Sequence, residues 1–361
     1  MVFKWKFIAI FAAMVLLASS FVSGQVVNVS PVPGNPTASG TNLLNALAGI
    51  VDATSAKPYV LRLDPGIYDV GSTPLAMKPY VDIEGSGQQS TIIRGPGNNT
   101  GFLTAVVLGA NNAELRDLQV SCYGKAYDYA IAVLLNQTST SLRDVTLAAN
   151  NATANWGLRN LSANSTIQNV TINVGGGNSS YGISNTGGTA ASPVIRRAVI
   201  NVVRSTNAYG IYNDQYASPK IRDVEISASG VSAYGIEYGY TFDMAGATLE
   251  VINAKINAVS STGAAIGIDL NGNDTVVVSH SNIVASSSSS SSHGLKISYG
   301  AFTSTFLVDH CDVAGATNSV LAQFQTVRAG ASKLDGPVSI GVPTCVASFN
   351  GSYAPLNASC L

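Results

Sequence analysis

The amino-acid sequence predicts an all-β chain wound into a right-handed parallel β-helix, with a short N-terminal helix that caps it. Three observations favour this fold. A six-residue pattern recurs every 25 to 30 residues, a second short motif follows most copies, and charged residues are only 11% of the chain. A typical globular protein has roughly 25% charged residues. Glycine, small polar and β-branched residues replace them here, which is typical of short strands linked by many turns.

The six-residue pattern has aliphatic residues mostly at its first, fourth and sixth positions. Five clear copies occupy residues 115–120 (LRDLQV), 142–147 (LRDVTL), 167–172 (IQNVTI), 195–200 (IRRAVI) and 221–226 (IRDVEI), and looser copies begin at residues 251, 278 and 308. A plain strand would place apolar residues at every second position, so the chain has to turn between the first and fourth positions.

The third position of the pattern is the predicted turn. It is occupied by Asp117, Asp144, Asn169, Arg197, Asp223, Asn253, His280 and His310. Asp and Asn tolerate the left-handed backbone conformation and can hydrogen-bond their own backbone. We therefore expect these side chains to stack, coil on coil, as a ladder. A metal-binding or acid–base role for the two histidines is the less favoured alternative.

The second motif is an aromatic or other large residue followed by glycine and an aliphatic residue. It occurs at residues 156–158 (WGL), 181–183 (YGI), 209–211 (YGI), 234–236 (YGI), 266–268 (IGI) and 293–295 (HGL). Each coil then holds three short strands, two from the six-residue pattern and one from this motif. Neighbouring coils should lie about 4.8 Å apart and bury their aliphatic residues against each other.

The N-terminal part divides into a leader and a cap. Residues 1–24 are predicted to be a secretory signal peptide, because Lys4 and Lys6 precede an apolar run and small residues end at Gly24. Residues 25–80 should hold the first strands and a capping helix. Helical spacing of apolar residues places that helix at Thr41–Ala53, with Ser39 or Thr41 as its N-cap.

The remaining chain divides into coils over residues 81–336 and a C-terminal cap over residues 337–361. Cys345 and Cys360 lie close in sequence and are predicted to form a disulfide across the cap. Cys122 and Cys311 are seven copies apart, or roughly 34 Å at the spacing of strands, so they cannot pair and are expected to be free thiols.

The net charge and hydropathy of the chain limit the classes of partner that are expected. The net charge of −1 becomes −3 without Lys4 and Lys6, so no basic field is available for nucleic acid. No second long apolar stretch follows the leader, so no membrane span is expected in the mature chain. The predicted location is secreted or at the cell surface.

The whole mature chain resembles the pectate-lyase-like superfamily of right-handed parallel β-helices. The resemblance includes the order of residues 59–63 (YVLRL), 65–68 (PGIY) and 83–87 (IEGSG). It implies the fold but no activity, because this fold hosts lyases, hydrolases, esterases and structural proteins.

The active-site motifs of familiar members are incomplete. Residues 292–294 (SHG) resemble the Gly-His-Gly element of polygalacturonases, but residues 263–266 (GAAI) lack the paired carboxylates expected one coil earlier. Residues 66–69 (GIYD) resemble an early pectinesterase motif without the catalytic Gln-Asp pair after it. The catalytic residues therefore stay unknown, and the sequence indicates neither a cofactor nor a metal site.

Candidate substrate-binding residues lie at the outward positions of the strand that carries the second motif, and close to it. These outward positions form a column, one residue per coil. Successive copies place polar residues about 5 Å apart beside tyrosines, as a sugar cleft would need. The candidates are Tyr212, Asp214, Glu237, Tyr240, Asp269 and Lys296. The alternative is an ordinary polar sheet face in which Asp269 and Lys296 form a cross-strand ion pair.

The column of the second motif has two interpretations. Trp156, Tyr181, Tyr209 and Tyr234 could form a platform for sugars or an internal aromatic stack, and packing is favoured because a Gly-aliphatic pair follows each ring. His293 occupies the same column, where a stacked ring is favoured over a general base.

Three functions are consistent with these features. The first is a carbohydrate-interacting protein, with polysaccharide as the partner and no recognisable catalytic set. The second is a polysaccharide lyase or glycoside hydrolase that uses the face formed by Glu237, Asp269 and Lys296. The third is a structural surface or appendage protein.

Overall fold

The computed structural model describes residues 24–99, 101–124, 127–187, 192–214, 217–239, 248–271, 275–298 and 304–361. All but the last residue of the predicted signal peptide, and the candidate Tyr240, lie outside these ranges. The structure is a parallel β-solenoid of about nine turns with one short helix, so the predicted fold class is confirmed.

The elements follow each other in a regular order. They are β1 (Gln25–Val29), α1 (Pro36–Gly49), β2 (Tyr59–Leu63), β3 (Gly66–Asp69), β4 (Leu75–Ala76), β5 (Val81–Glu84), β6 (Thr91–Pro96), β7 (Val107–Leu108), β8 (Glu114–Tyr123), β9 (Tyr129–Asn136), β10 (Ser141–Asn150), β11 (Ala154–Leu161), β12 (Thr166–Gln168), β13 (Thr171–Gly175), β14 (Ser179–Thr186), β15 (Val194–Arg196), β16 (Val199–Asn213), β17 (Lys220–Tyr238), β18 (Thr248–Ser260), β19 (Ala265–Leu270), β20 (Thr275–Ser279), β21 (Asn282–Ser287), β22 (Ser292–Ile297), β23 (Thr305–Asp309), β24 (Asp312–Gly315), β25 (Asn318–Gly330), β26 (Lys333–Asp335), β27 (Val338–Val346) and β28 (Phe349–Asn350).

The strands build three parallel sheets that run the length of the solenoid. Sheet one contains the first half of each six-residue pattern, sheet two the second half, and sheet three the aromatic-glycine motif. Leu142, for example, pairs in register with Leu115 on one side and Ile167 on the other. Every strand pairing among the described elements is parallel, and only isolated bridges are antiparallel.

The predicted turn column is confirmed. All eight of its residues have a positive φ, between 49° and 55°. Their side chains contact each other along the solenoid: Asn253 donates from Nδ2 to Oδ1 of Asp223 over 2.5 Å, and the rings of His280 and His310 stack 5.2 Å apart. The ladder therefore accounts for both histidines.

The glycine of the second motif is required by close packing between coils. A Cβ atom on Gly182 would lie 2.3 Å from Cγ2 of Ile200 and 2.5 Å from the carbonyl oxygen of Gly210. The equivalent glycines at residues 210, 235 and 267 meet the same two kinds of atom at similar distances. Any larger residue would push neighbouring coils apart.

A ladder of asparagines lies inside sheet three. Asn160, Asn185 and Asn213 are fully buried on successive coils. Asn160 Nδ2 donates to Asn185 Oδ1 over 3.1 Å, and Asn185 Nδ2 donates to Asn213 Oδ1 over 2.8 Å. These bonds offset the cost of burying the amides, which would be high for unpaired groups.

The capping helix begins and ends earlier in the sequence than predicted. It spans Pro36–Gly49 rather than Thr41–Ala53, and its N-cap is Asn35, whose Oδ1 accepts from the amide of Ala38 over 3.0 Å. Proline suits the start of a helix, because the amide hydrogen that it lacks would have had no helical partner. Leu43 and Leu47 are buried as expected, whereas Val51 lies beyond the helix and is 86% exposed.

The C-terminal segment carries the disulfide Cys345–Cys360. Strands β27 and β28 continue the stack, and the amide of Cys345 donates to the carbonyl of Ala358 over 3.1 Å, so the tail returns over the last coil. Cys122 and Cys311 are buried and free, as predicted. Across the residues that the structure describes, no helix has the length and apolarity required to cross a membrane.

Candidate functional site

The outward face of sheet three brings four of the six candidate residues into one column. The strand register places Tyr212, Glu237, Asp269 and Lys296 on four successive coils, in strands β16, β17, β19 and β22. Asp214 lies at the end of β16, where its amide donates to the carbonyl of Asn185 over 2.9 Å. Neighbouring members of the column are separated by the spacing of strands, about 4.8 Å.

Glu237 is a buried carboxyl of this column with a strongly raised pKa. Its Oε2 atom is buried and has no hydrogen-bond partner among the described residues. Burial, reinforced by the negative charge of Asp269 and opposed by Lys296, raises the pKa of Glu237 to about 8. Glu237 is therefore largely protonated at neutral pH and can donate a proton.

Asp269 is more deeply buried, at 4% exposure. Its Oδ1 accepts a hydrogen bond of 2.6 Å from the hydroxyl of Ser298. Burial raises its pKa, while the charge of Lys296 and this hydrogen bond oppose the rise. The two side chains share a register position, but no ion pair joins Asp269 to Lys296 among the described contacts, so the expected cross-strand pair is absent.

His293 lies beside this column, in the column of the second motif. It is 5% exposed, and its Nδ1 has no partner in the described part of the chain. Burial lowers the pKa of His293, the charge of Lys296 lowers it further, and a hydrogen bond with Asn318 opposes both effects. Its neighbours in register are Ile266 and Asn318, so it is not part of an aromatic stack as favoured from the sequence.

The aromatic column is a continuous stack. Ring centroids are 5.1 Å apart for Trp156 and Tyr181, 4.8 Å for Tyr181 and Tyr209, and 5.0 Å for Tyr209 and Tyr234. The planes are within 17° of parallel. Because inner rings of the stack have both faces covered, the packing interpretation is supported over a sugar platform at these positions.

Tyr212 lies edge-on to this stack. Its ring centroid is 5.6 Å from that of Tyr181 and 5.7 Å from that of Tyr209. Burial raises the pKa of Tyr209 and Tyr212, and it raises the pKa of Tyr234 to about 12. The phenols therefore stay protonated at physiological pH and can act as hydrogen-bond donors beside Glu237.

Sequence reasoning missed two residues at one end of this face. Arg159 precedes Ser184 in the column of Glu237, and its guanidinium lies over the ring of Phe102, 4.7 Å from the centroid. Arg159 could have been found by extending the outward column by one more coil. Phe102 lies between β6 and β7, outside the repeat, and no sequence signal marks it.

No family model and no curated protein matches the sequence. Solved structures do match the fold. The A-module of the Azotobacter vinelandii mannuronan C-5 epimerase AlgE4 superposes with a TM-score of 0.58 at 13% identity, covering 90% of each chain. The AlgE6 A-module gives 0.56 at 11% identity, covering 88% of this chain and 96% of that one. The catalytic domain of a GH87 α-1,3-glucanase in complex with nigerose gives 0.50 at 11%, covering 91% and 66%.

This chain has the parallel β-helix fold of these solved structures. The resemblance expected from the sequence is thereby confirmed for the fold. Identities this low carry no assignment of activity, so function has to come from the residues of the site.

On this parallel β-helix, the outward face of sheet three combines groups in different protonation states. Glu237 is largely a neutral acid at pH 7, His293 is a neutral imidazole, and Lys296 supplies a cation. Such a set can hydrogen-bond hydroxyl groups and can exchange protons with a bound molecule. Among the described residues, no group of three or more His, Cys, Asp or Glu side chains could hold a metal ion.

Proposed function

We propose that this protein is an extracytoplasmic carbohydrate-interacting β-helix that binds a polysaccharide chain along the outward face of sheet three. The observation that carries the proposal is the buried Oε2 of Glu237, which has no partner among the described residues. A protein leaves a buried carboxyl oxygen unpaired at a cost, and such perturbed groups concentrate at functional sites.

Further features support a saccharide as the ligand. The face offers phenol, carboxyl and ammonium groups at regular spacing along the solenoid, which suits the repeated hydroxyls of an extended polymer. The structurally similar AlgE modules and the GH87 domain are named for polysaccharide chemistry. An extracytoplasmic location agrees with the disulfide, because disulfides persist mainly in oxidising compartments.

Binding is tested by retention on immobilised polysaccharides together with a glycan array. We expect the wild-type protein to be retained by at least one polysaccharide, and we expect Glu237→Ala and Tyr212→Ala to weaken that retention. Asn257→Ala is the matched control, because Asn257 is exposed on sheet two. The proposal is wrong if no polysaccharide retains the wild-type protein in either assay.

A second candidate is a polysaccharide lyase or glycoside hydrolase. It is favoured by the pKa of about 8 at Glu237, which keeps a proton available at neutral pH for a leaving-group oxygen. In this case Glu237 is the proton donor, and Asp269, its neighbour in register on the next coil, is the group placed to assist.

Catalysis is tested with pectic, alginate-like and neutral polysaccharides, assayed for unsaturated products and for new reducing ends. Activity should fall at least about 100-fold in Glu237→Gln, since general acid catalysis contributes about 10²–10⁴-fold. If the wild-type protein binds a polysaccharide but forms neither unsaturated products nor new reducing ends, the binding function stands and the enzymatic function is rejected. Full activity in Glu237→Gln would reject Glu237 as the proton donor.

A further inference from the structure

The geometry points to a sugar-stacking subsite at Phe102 and Arg159, at the end of the sheet-three face nearest the N-terminus. Phe102 would hold the apolar face of one pyranose ring, and Arg159 would hydrogen-bond that residue. This inference rests on the proposed polysaccharide binding and specifies where the chain is anchored.

Among the described aromatic rings of this face, Phe102 has the most accessible surface, at 46% exposure. One side of the ring faces the guanidinium of Arg159, and Tyr129 and Trp156 meet it at 70° and 78°, with centroids 4.7 Å and 6.1 Å away. These contacts fix the orientation of the ring. In contrast, the inner rings of the tyrosine stack are covered on both faces, so Phe102 is the ring suited to stacking against a sugar.

Arg159 is a cation that has no counter-ion within the described ranges of the chain. Its guanidinium also lies 5.4 Å from the ring centroid of Trp156, and its Nε is buried without a hydrogen-bond partner among the described residues. No described carboxylate forms an ion pair with it. A guanidinium has five donors and no acceptor, so its unused donors favour an acceptor that comes from a ligand.

Hydrogen bonds hold the segment around Phe102 in place in the ligand-free protein. The backbone of Asn98 pairs with that of Tyr129. The side chain of Asn98 donates to the carbonyl of Thr104 over 3.1 Å and accepts from the amide of Gly101 over 3.0 Å. A platform held in this way loses little conformational entropy on binding, which increases affinity.

The subsite and Glu237 belong to one binding face. Arg159 and Glu237 share an outward column and are three coils apart, or about 14 Å at the spacing of strands. One ligand reaches both only if it is an extended chain of several sugar residues. The predicted occupant is therefore a polysaccharide segment and not a mono- or disaccharide.

The test uses octasaccharides of polygalacturonate, alginate and dextran, titrated into the full mature protein while tryptophan fluorescence is recorded. Trp156 is the reporter, because the only other tryptophan, Trp5, lies in the predicted signal peptide. We expect at least one octasaccharide to change the emission. Phe102→Ala should weaken its affinity about ten-fold or more, in the range of an aromatic anchor.

Three further variants distinguish a loss of ring stacking against the sugar from a loss of folded structure. Phe102→Trp should retain affinity, whereas Phe102→Leu keeps an apolar side chain without a ring and should lose it. Leu103→Ala is the matched control, since Leu103 is adjacent and 63% exposed, and it should bind like the wild type.

The outcomes distinguish this inference from the function on which it rests. Wild-type affinity in both Phe102→Ala and Phe102→Leu, with binding still weakened by Glu237→Ala, would overturn the subsite and leave polysaccharide binding intact. Failure of every octasaccharide and polysaccharide to bind the wild-type protein would overturn both.

Discussion

The carboxylate form of Glu237 is destabilised by its surroundings. Neither its buried oxygen nor its neighbour Asp269 is neutralised by a direct ion pair among the described contacts, although Lys296 is two coils away. The carboxyl group relieves this by retaining its proton to about pH 8. The protonation of Glu237 is therefore linked to the stability of the whole protein.

Replacing Glu237 by glutamine should change how stability depends on pH. The folded-state pKa of Glu237 is raised, so the folded protein binds more protons than the unfolded chain between about pH 4.5 and 8. Stability from this group is present below pH 4.5 and is lost as the pH rises through 8. Glutamine mimics the protonated acid at every pH. Glu237→Gln should therefore have a higher melting temperature than the wild type at pH 9 and a similar one at pH 4.5.

Melting curves between pH 4.5 and 9 measure this difference. The lowered pKa of His293 affects both proteins in the same sense, so its effect largely cancels in the comparison. Curves that stay parallel across the range would contradict the assigned burial of Glu237.

Individual residues differ in how well the sequence reveals them. The turn column was predictable, because only a residue that tolerates positive φ fits the third position, and Asp and Asn recur there. The alignment of Tyr212, Glu237, Asp269 and Lys296 followed from the same repeat. The absent Asp269–Lys296 ion pair and the role of Phe102 were not predictable, because side-chain directions and segments outside the repeat depend on tertiary packing.

At the scale of elements, the buried asparagine ladder ties neighbouring strands of sheet three together. Asn185 is both donor and acceptor in it, to Asn213 and from Asn160. An apolar residue at the same inward position would pack but would leave the amides on either side with fewer partners. The ladder therefore constrains which residues its neighbours can be.

Asn185→Ala should lower the free energy of unfolding by about 1–3 kcal/mol, the cost of leaving a buried polar group unsatisfied. Urea denaturation measures the loss. Asn201→Ala is the matched control, because Asn201 donates to Asn173 over 3.1 Å on an exposed face, and it should change stability by no more than about 0.5 kcal/mol. Equal effects of the two variants would show that the ladder adds nothing beyond a surface pair.

The capping helix illustrates a limit of element prediction. Apolar spacing predicts the burial of Leu43 and Leu47 correctly, but it does not register the start signal formed by Asn35 and Pro36, so the predicted boundaries lie too late in the sequence. The helix also ends at Gly49, before Ile50 and Val51 could extend its apolar face. Periodicity located the buried face, and only capping chemistry could locate the ends.

At the scale of the whole molecule, the strand pairings of the described solenoid join each coil to its immediate neighbours. The stability of the solenoid is then close to a sum of coil and interface contributions, and each end depends on its cover. Helix α1 packs at the N-terminal end. The C-terminal end depends on the tail held by Cys345–Cys360.

Removing this disulfide should loosen the C-terminal end first. A cross-link that closes a 15-residue loop is worth up to about 3 kcal/mol in the chain-entropy model. In a Cys345→Ala/Cys360→Ala double variant, we expect faster hydrogen exchange in β27 and unchanged exchange in β14. Uniformly faster exchange along the solenoid would instead show that the coils unfold as one unit.

The stacked rings of sheet three also have an optical consequence. Aromatic chromophores about 5 Å apart pass excitation energy to one another, and indole absorbs at longer wavelength than phenol. Light absorbed by Tyr234 or Tyr209 is therefore expected to emerge as emission from Trp156 at the end of the stack. The efficiency of energy transfer from these tyrosines to Trp156 therefore reports whether the intervening coils stay in register.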